Sequence, residues 1–341
     1  MSAIELPGGV TIRTFSQPPD GFDPVRADDR ALLAYGYPGR PEDPAMLERW
    51  ERVLSTPIQL IQPTFRSMPY KRRRLPEAAA RVAHGTESTD IWSGAVVHAP
   101  AGDGFKWIEG EWTVPNAFPP GGAVDGVWYS ASTWIGIDGI DGSGDVLQAG
   151  CDSDVMTSGG TIQRQLNPWW EWFPAGSFWI SNLPVAQGDT MDGLICVDTG
   201  SATSATIYLL NITSRVGASF RATAPTGTTL AGNSAEWVVE RLEIDTNTPE
   251  LARYGEVYFA AAYAGTAAGA QMDASAGNVI NMVDSGYTIS TGQPPVNSQP
   301  PPLPGPSAPR QRWTQSAPNG GPSPTGSQPS WPDGPSGCRF Q

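Results

Sequence analysis

The chain has 341 residues and a formal net charge of −13, with 21 basic residues against 34 acidic ones. That length suits one large or two modest domains, and no apolar run approaches the roughly twenty residues that would span a membrane. A surface this acidic repels phosphate backbones, which sets nucleic acid aside as a partner.

The first zone, residues 1–90, is polar, spotted with proline and electrically balanced, with 12 basic and 12 acidic residues. Its start, MSAIELPGGV, shows neither a basic n-region nor an apolar h-region, so no signal peptide is read. EDPAMLERWERVLS (42–55) predicts a helix, with Asp43 as cap and Pro44 at the first position. Leu47, Trp50 and Leu54 fall on one face, and Glu48 and Arg52 sit at i,i+4. YKRRRLP (70–76) is a basic run in an extended context. It reads as a solvated charge cluster, as a processing site, or as a cationic segment laid across an acidic surface.

Residues 91–291 carry the charge imbalance: positions 91–341 hold 9 basic and 22 acidic residues. Lys71 and Lys106 are the chain's two lysines. Few salt bridges are then at stake when carboxylates take up protons, which suits work in acid. Short runs such as GAVVHA, GEWTVP, GVWYSASTWIGI, DVLQAG, WWEWFP and AEWVVERLEI alternate or are rich in β-branched and aromatic residues, bounded by Gly, Pro, Asn and Asp. Many short strands at hairpin spacing predict an all-β antiparallel sandwich or barrel. CDSDVMTSGGTIQRQ (151–165) reads as an extended hairpin. From 292 to 341 the chain is a Pro/Gly/Ser tail holding 14 of the 34 prolines, expected to be disordered or partly polyproline II.

The chemistry-bearing residues narrow the field. The histidines are His84 and His98, and there is no G-x-S-x-G, so a nucleophilic triad is poorly supplied. No set of three or four metal ligands has a zinc spacing, and DGIDGSGD (138–145) lacks the pattern of a calcium loop. Cys151, Cys196 and Cys338 are an odd number; Cys151 and Cys196 either pair, if their strands meet, or are buried thiols. Asp198-Thr-Gly and Asp284-Ser-Gly could serve an aspartic peptidase, which needs two aspartates sharing a proton, but both also read as hairpin turns.

Residues of one parity share a strand face. Trp134 with Asp138, Trp169 with Glu171 and Phe173, and Glu236 with Glu240 are such sets. If those faces converge they make an aromatic-lined acidic groove whose crowded carboxylates hold protons in mild acid. A tryptophan-lined sandwich groove also fits carbohydrate binding, and carboxylate pairs would permit glycoside hydrolysis.

In order along the chain, WSGAV (92–96), GEWTVP (110–115), WIGIDG (134–139), LQAG (147–150), WWEWFP (169–174) and AEWVVE (235–240) resemble the glutamic peptidases, the eqolisin or G1 family. The resemblance spans about residues 91–291. It implies a β-sandwich of two seven-stranded antiparallel sheets, concanavalin- or jelly-roll-like. It also implies a pepstatin-insensitive acid endopeptidase that needs no cofactor and no metal. Its dyad maps onto Gln148 and Glu236, with Asp138 and Glu171 as acids supporting the dyad and Trp92, Trp134, Trp169 and Phe173 lining the groove. Family members often have tyrosine where Phe173 stands. The implied partner is a polypeptide substrate, with no membrane partner, for a monomer of secreted type. Residues 1–90 read as an N-terminal extension and pro-segment, whose KRRR run lies on the acidic groove at neutral pH and releases as the acids protonate.

Overall fold

The computed structural model describes residues 3–42, 44–55, 57–76, 80–82, 85–140, 142–293 and 311–314. Two antiparallel sheets are packed face to face. In the first, the neighbours run Phe178–Ile180, Thr161–Phe173, Val146–Ser158, Trp128–Ile137, Ser234–Glu240, Trp92–His98 and Asn278–Asp284. In the second they run Val10–Thr14, Val216–Thr223, Ser204–Asn211, Thr190–Val197, Phe105–Thr113, Glu256–Thr266 and Gln271–Asp273. Further short strands extend both edges. The strand Gln311–Thr314, set within the predicted tail, pairs with both Glu256–Phe259 and Thr291–Gln293 and joins the layers. The rest of the tail, from residue 294, lies outside the described residues. This is the all-β sandwich expected from the strand spacing.

Period-two alternation assigns every side chain of the first sheet to a layer. Leu147, Ala149, Cys151 and Val155 point inward, as do Ile135 and Ile137, Trp170 and Trp172, and Ala235, Trp237 and Val239. They meet Ile108, Trp112, Ile195, Ile207, Leu209, Phe220 and Phe259 from the second sheet. The opposite parity, Gln148, Gly150, Asp152 and Asp154 on one strand alone, faces away from this core. It is nonetheless buried, because other chain covers that outer face. The Val146–Ser158 and Thr161–Phe173 strands pair without a break from Val146↔Phe173 to Ser158↔Thr161. Gly159 and Gly160, both at positive φ, close this hairpin in the sense that matches strand twist.

Residues 1–90 are woven into the sandwich. Helix Pro44–Ser55 forms as its apolar spacing predicts; Trp50 and Leu54 are buried and Leu47 packs beside them. With Leu32 and Tyr37 they cover Leu210 and Ile212 of the second sheet. The expected cap, Asp43, lies outside the described residues, as does His84. The chain then adds Gln59–Ile61 to the second sheet, beside Val216–Ala218, and Phe65–Ser67 to the first, beside Phe178–Ile180. Lys71–Arg72 pairs with Glu243–Ile244, just beyond the Glu236 strand. The stretch from Phe65 to Arg72 therefore crosses the outer face of the first sheet.

Cys151 is a free buried thiol and Cys196 is disulfide-bonded, so the two do not pair with each other.

Candidate active site

The site is a row of residues across four strands. In the ladder, Glu236 stands opposite Gly136, Gly136 opposite Gln148, and Gln148 opposite Glu171. Directly opposed residues share a face, so Glu236 and Gln148 project to the same side. Two ladder spacings of about 4.8 Å put their Cα atoms roughly 10 Å apart. The residue between them has no side chain. A Cβ on Gly136 would lie 3.2 Å from Gln148 Cβ and 2.9 Å from Trp134 Cζ3, so the Trp134 ring and the Gln148 side chain close tightly over the glycine.

Gln148 is 1% exposed and Glu236 0%. The Gln148 Nε2 donates to Glu171 Oε2 at 3.2 Å, and Ser177 Oγ donates to the same oxygen at 3.1 Å. Gln148 Oε1 has no hydrogen-bond partner among the described residues. An amide carries two N–H donors, so one Nε2–H is held by Glu171 and a second remains. Burial pushes the Glu171 carboxyl up to about 7, against a smaller opposing pull from Arg73. In mild acid it is protonated.

The next rows supply the walls. Trp134 Nε1 donates to Glu240 Oε2 at 3.0 Å and Trp92 Nε1 to Glu240 Oε1 at 3.3 Å. The two indoles meet edge to face, with centroids 4.8 Å apart. Trp169 lies opposite Gly150, beside them. Glycine is required there: a Cβ on Gly150 would stand 2.2 Å from the Thr133 carbonyl oxygen. Phe173, partly buried, ends the row of Glu171 and Trp169 on the same strand face, opposite Val146. Trp92, Trp134, Trp169 and Phe173 thus share the face of Gln148 and Glu236.

Asp138 does something other than join the groove row. Its strand ends at Ile137, and Asp138 turns out of it at φ 70°. Its carboxylate accepts three backbone N–H bonds: from Ala231 and Gly232, each at 2.8 Å, and from Asn233 at 2.7 Å. That clamps the loop entering the Glu236 strand. Parity with Trp134 is lost at a turn, which is why the pattern misplaced it. Beside it, Asp145 accepts from Trp172 Nε1 at 3.2 Å, and burial pushes its carboxyl to about 6.

The basic run at 71–74 supplies a cationic half, and only the choice of which members turn inward was beyond the pattern. Lys71 Nζ lies 2.7 Å from Asp152 Oδ2 and 2.5 Å from Asp154 Oδ2. Arg73 reaches Asp152 Oδ1 at 2.5 Å, Ser177 Oγ at 2.6 Å and Ser132 Oγ at 3.2 Å, with its Cζ 3.3 Å from the centre of the Trp169 ring. Alternation splits the basic run. Lys71 and Arg73 are buried, whereas Arg72 is exposed beside Glu243 and Arg74 pairs with Asp90. Asp152 and Asp154 share Gln148's parity, and that was the available signal.

The alternative aspartates are not brought together as a proton-sharing pair. Asp198 is bound by Ser204 and Arg221, and Asp284 by Arg241 at 2.8 Å, each in its own turn. His98 bonds Glu87 at 2.7 Å. Among the described residues no group of three or more His, Cys, Asp or Glu side chains is placed to hold a metal. Nor does any described helix have the length and apolarity to cross a membrane. A surface hollow of about 360 Å³ lies far from this chemistry, between Arg13, Thr203 and Arg221. Over the groove, Lys71 and Arg73 of the 65–73 stretch are buried against Asp152, Asp154 and the Trp169 ring.

Comparison with known proteins agrees with this architecture. The chain is 28% identical to aspergillopepsin-2 of Aspergillus niger over 221 residues, covering 60% of this chain and 74% of that protein. It is 27% identical to scytalidopepsin B of Scytalidium lignicola over 152 residues, covering 45% and 52% respectively. The crystal structure of scytalido-glutamic peptidase with a transition state analog inhibitor shares the fold, at a TM-score of 0.50 and 21% identity, covering 67% of this chain and 98% of that one. Because residues 90–299 match the Peptidase A4 family, the chain belongs to that family, the glutamic peptidases, and is a peptide-bond hydrolase.

Proposed function

We propose that the protein is an acid-active endopeptidase that hydrolyses peptide bonds of proteins with Gln148 and Glu236. The observation that supports this reading is the shared row in which the two side chains flank a residue without one. In this reading a water molecule is gripped between the Glu236 carboxylate and the Gln148 amide. Glu236 takes the proton of that water as it attacks the scissile carbonyl. The second Nε2–H of Gln148 donates to the oxyanion of the tetrahedral intermediate. Glu236 then hands its proton to the leaving amine, and the peptide bond breaks with no cofactor. Glu171 and Ser177 keep the amide in place throughout. Trp92, Trp134 and Trp169 exclude bulk water, which strengthens each hydrogen bond made to the developing charge. Residues 1–90 act as a pro-segment whose Lys71 and Arg73 hold the groove closed.

The test is digestion of a denatured protein in mild acid, with and without pepstatin. Gln148→Ala and Glu236→Gln, each with the melting behaviour of the parent chain, are expected to lose at least about 10²–10³-fold in kcat. Activity that survives both changes would refute the dyad.

A further inference from the structure

We infer that Cys338 is the partner of Cys196, and that this bond fastens the end of the C-terminal tail, residues 331–341, over the outer face of the second sheet. The chain has three cysteines. Cys196 is disulfide-bonded and Cys151 is a free buried thiol, which leaves Cys338. Cys151 points into the core between the sheets, as do Ile195 and Val197. Alternation therefore turns Cys196 to the opposite face. Directly opposed residues share that face: Cys196 with Trp107 and Thr206, Leu194 with Glu109 and Tyr208, and Asp192 with Glu111 and Leu210. All nine are buried, from Cys196 at 0% exposed to Trp107 and Glu111 at 8%. Side chains on one sheet face stand side by side, so burial to this depth needs a layer above them. At the Leu210 end that layer is Tyr37, Trp50, Leu54 and Ile58. At the other end the apolar cluster is Trp107, Leu194, Cys196 and Tyr208, with Tyr263 packed against it, all from the sheet itself. A cystine at its centre identifies the chain that lies there.

The reach is ample. Thr314 pairs with Glu256, at the start of the strand Glu256–Thr266. Gly265 of that strand stands opposite Trp107, and Trp107 opposite Cys196. The way from Thr314 to Cys196 is thus two strands across and about nine residues along, roughly 30 Å. From Thr314 to Cys338 the chain runs 338 − 314 = 24 residues, which extended covers up to about 80 Å. The composition of the end matches the face. Cys338 and Phe340 share one side of an extended chain, so the ring comes down with the sulfur beside Trp107 and Tyr263. Arg339 between them brings a cation to a face that carries Glu109, Glu111 and Asp192. The bond closes by exchange with a small-molecule disulfide: the two thiols lose two electrons and two protons, and the donor is reduced to two thiols. The loop it closes, 338 − 196 = 142 residues, is long, so the bond restrains the unfolded chain strongly.

Two measurements on the full chain test this, and neither needs the protein to be active. Trypsin places the three cysteines in three different peptides. With free thiols alkylated in the folded protein and no reductant added, mass spectrometry is expected to find the Cys196 peptide joined to the Cys338 peptide of the same chain. A link from Cys151 to Cys196, a link between two chains, or an alkylated Cys338 overturns the inference. In the second, hydroxyl-radical oxidation of Trp107 and Tyr263 is compared in the parent, Cys338→Ser and Phe340→Ser. Cys338→Ser is expected to be oxidised severalfold faster at both rings and to melt at least about 5 °C lower. Phe340→Ser keeps the bond and is expected to show a smaller rise at the same two rings. Unchanged oxidation in both variants would mean that some other part of the chain seals this face, and the inference falls. If Cys338→Ser does not fold, the parent reduced after folding replaces it in the comparison.

Discussion

Gly136→Ala is the most direct test of the row that carries the site. The added methyl would lie 2.9 Å from Trp134 Cζ3, 3.2 Å from Gln148 Cβ and 3.3 Å from the Leu147 carbonyl oxygen. Trp134 cannot simply swing aside, since its Nε1 is bonded to Glu240 at 3.0 Å and its ring is braced against Trp92. Overpacking of this kind costs about 1–3 kcal/mol. For a sandwich domain of this size that is a fall in Tm of roughly 2–12 °C. On the proposed mechanism the methyl also displaces the Gln148 and Trp134 side chains that border the attacking water. Loss of general-base activation alone is worth about 10²–10⁴-fold. The expected outcome is a folded protein with kcat down by at least about 10²-fold. Gly193→Ala is the control: its Cβ would meet Ile135 and Trp112 side-chain atoms at 3.1 Å, inside the core and off the dyad face. It should cost similar stability with activity retained. Wild-type kcat in folded Gly136→Ala would show that the placement of Gln148 and Trp134 does not govern the attack, and the mechanism would fall.

Glu240 has a folded pKa of about 8 against an ordinary 4.5, raised chiefly by burial. Its contribution to stability is therefore full below about pH 4.5 and is lost as pH rises through 8, a loss on the order of 5 kcal/mol. Glu240→Gln cannot ionise and should flatten the alkaline fall in Tm; parallel pH–Tm curves for variant and parent would contradict this. Asp138→Asn tolerates the left-handed backbone but cannot accept from all three N–H groups of residues 231–233. It should cost about 1–3 kcal/mol and lower kcat more than it raises KM, read by melting and steady-state kinetics. Lys71→Met with Arg73→Met leaves buried Asp152 and Asp154 without their cations. Asp152's pairing stabilises the wild type above about pH 3.8 and fades as pH falls further, through its depressed folded value. The double variant should therefore cleave substrate without that acid step, and continued latency at neutral pH would refute the pro-segment role.

Sequence alone determined the strands and the parity of their faces. Alternation is a property of one strand, so Gln148, Glu171 and Glu236 could be assigned to faces one strand at a time, as could Trp134 and Trp169. The Gly159–Gly160 hairpin and the helix from Pro44 were likewise local, set by turn chemistry and apolar spacing. Which strands are neighbours is not local. Only the tertiary structure put the Trp128–Ile137 strand between the Gln148 and Glu236 strands, with a glycine in register between the two side chains. Asp138 eluded the pattern because its carboxylate serves a loop more than 90 residues away in sequence. Which members of the basic run turn inward eluded it because a charged run in isolation prefers water; three buried carboxylates and an indole face some 80–170 residues further along the chain decide that Lys71 and Arg73 do so. Faces follow from the geometry of one extended strand, whereas a site made between strands exists only once long-range pairing has fixed their order and register.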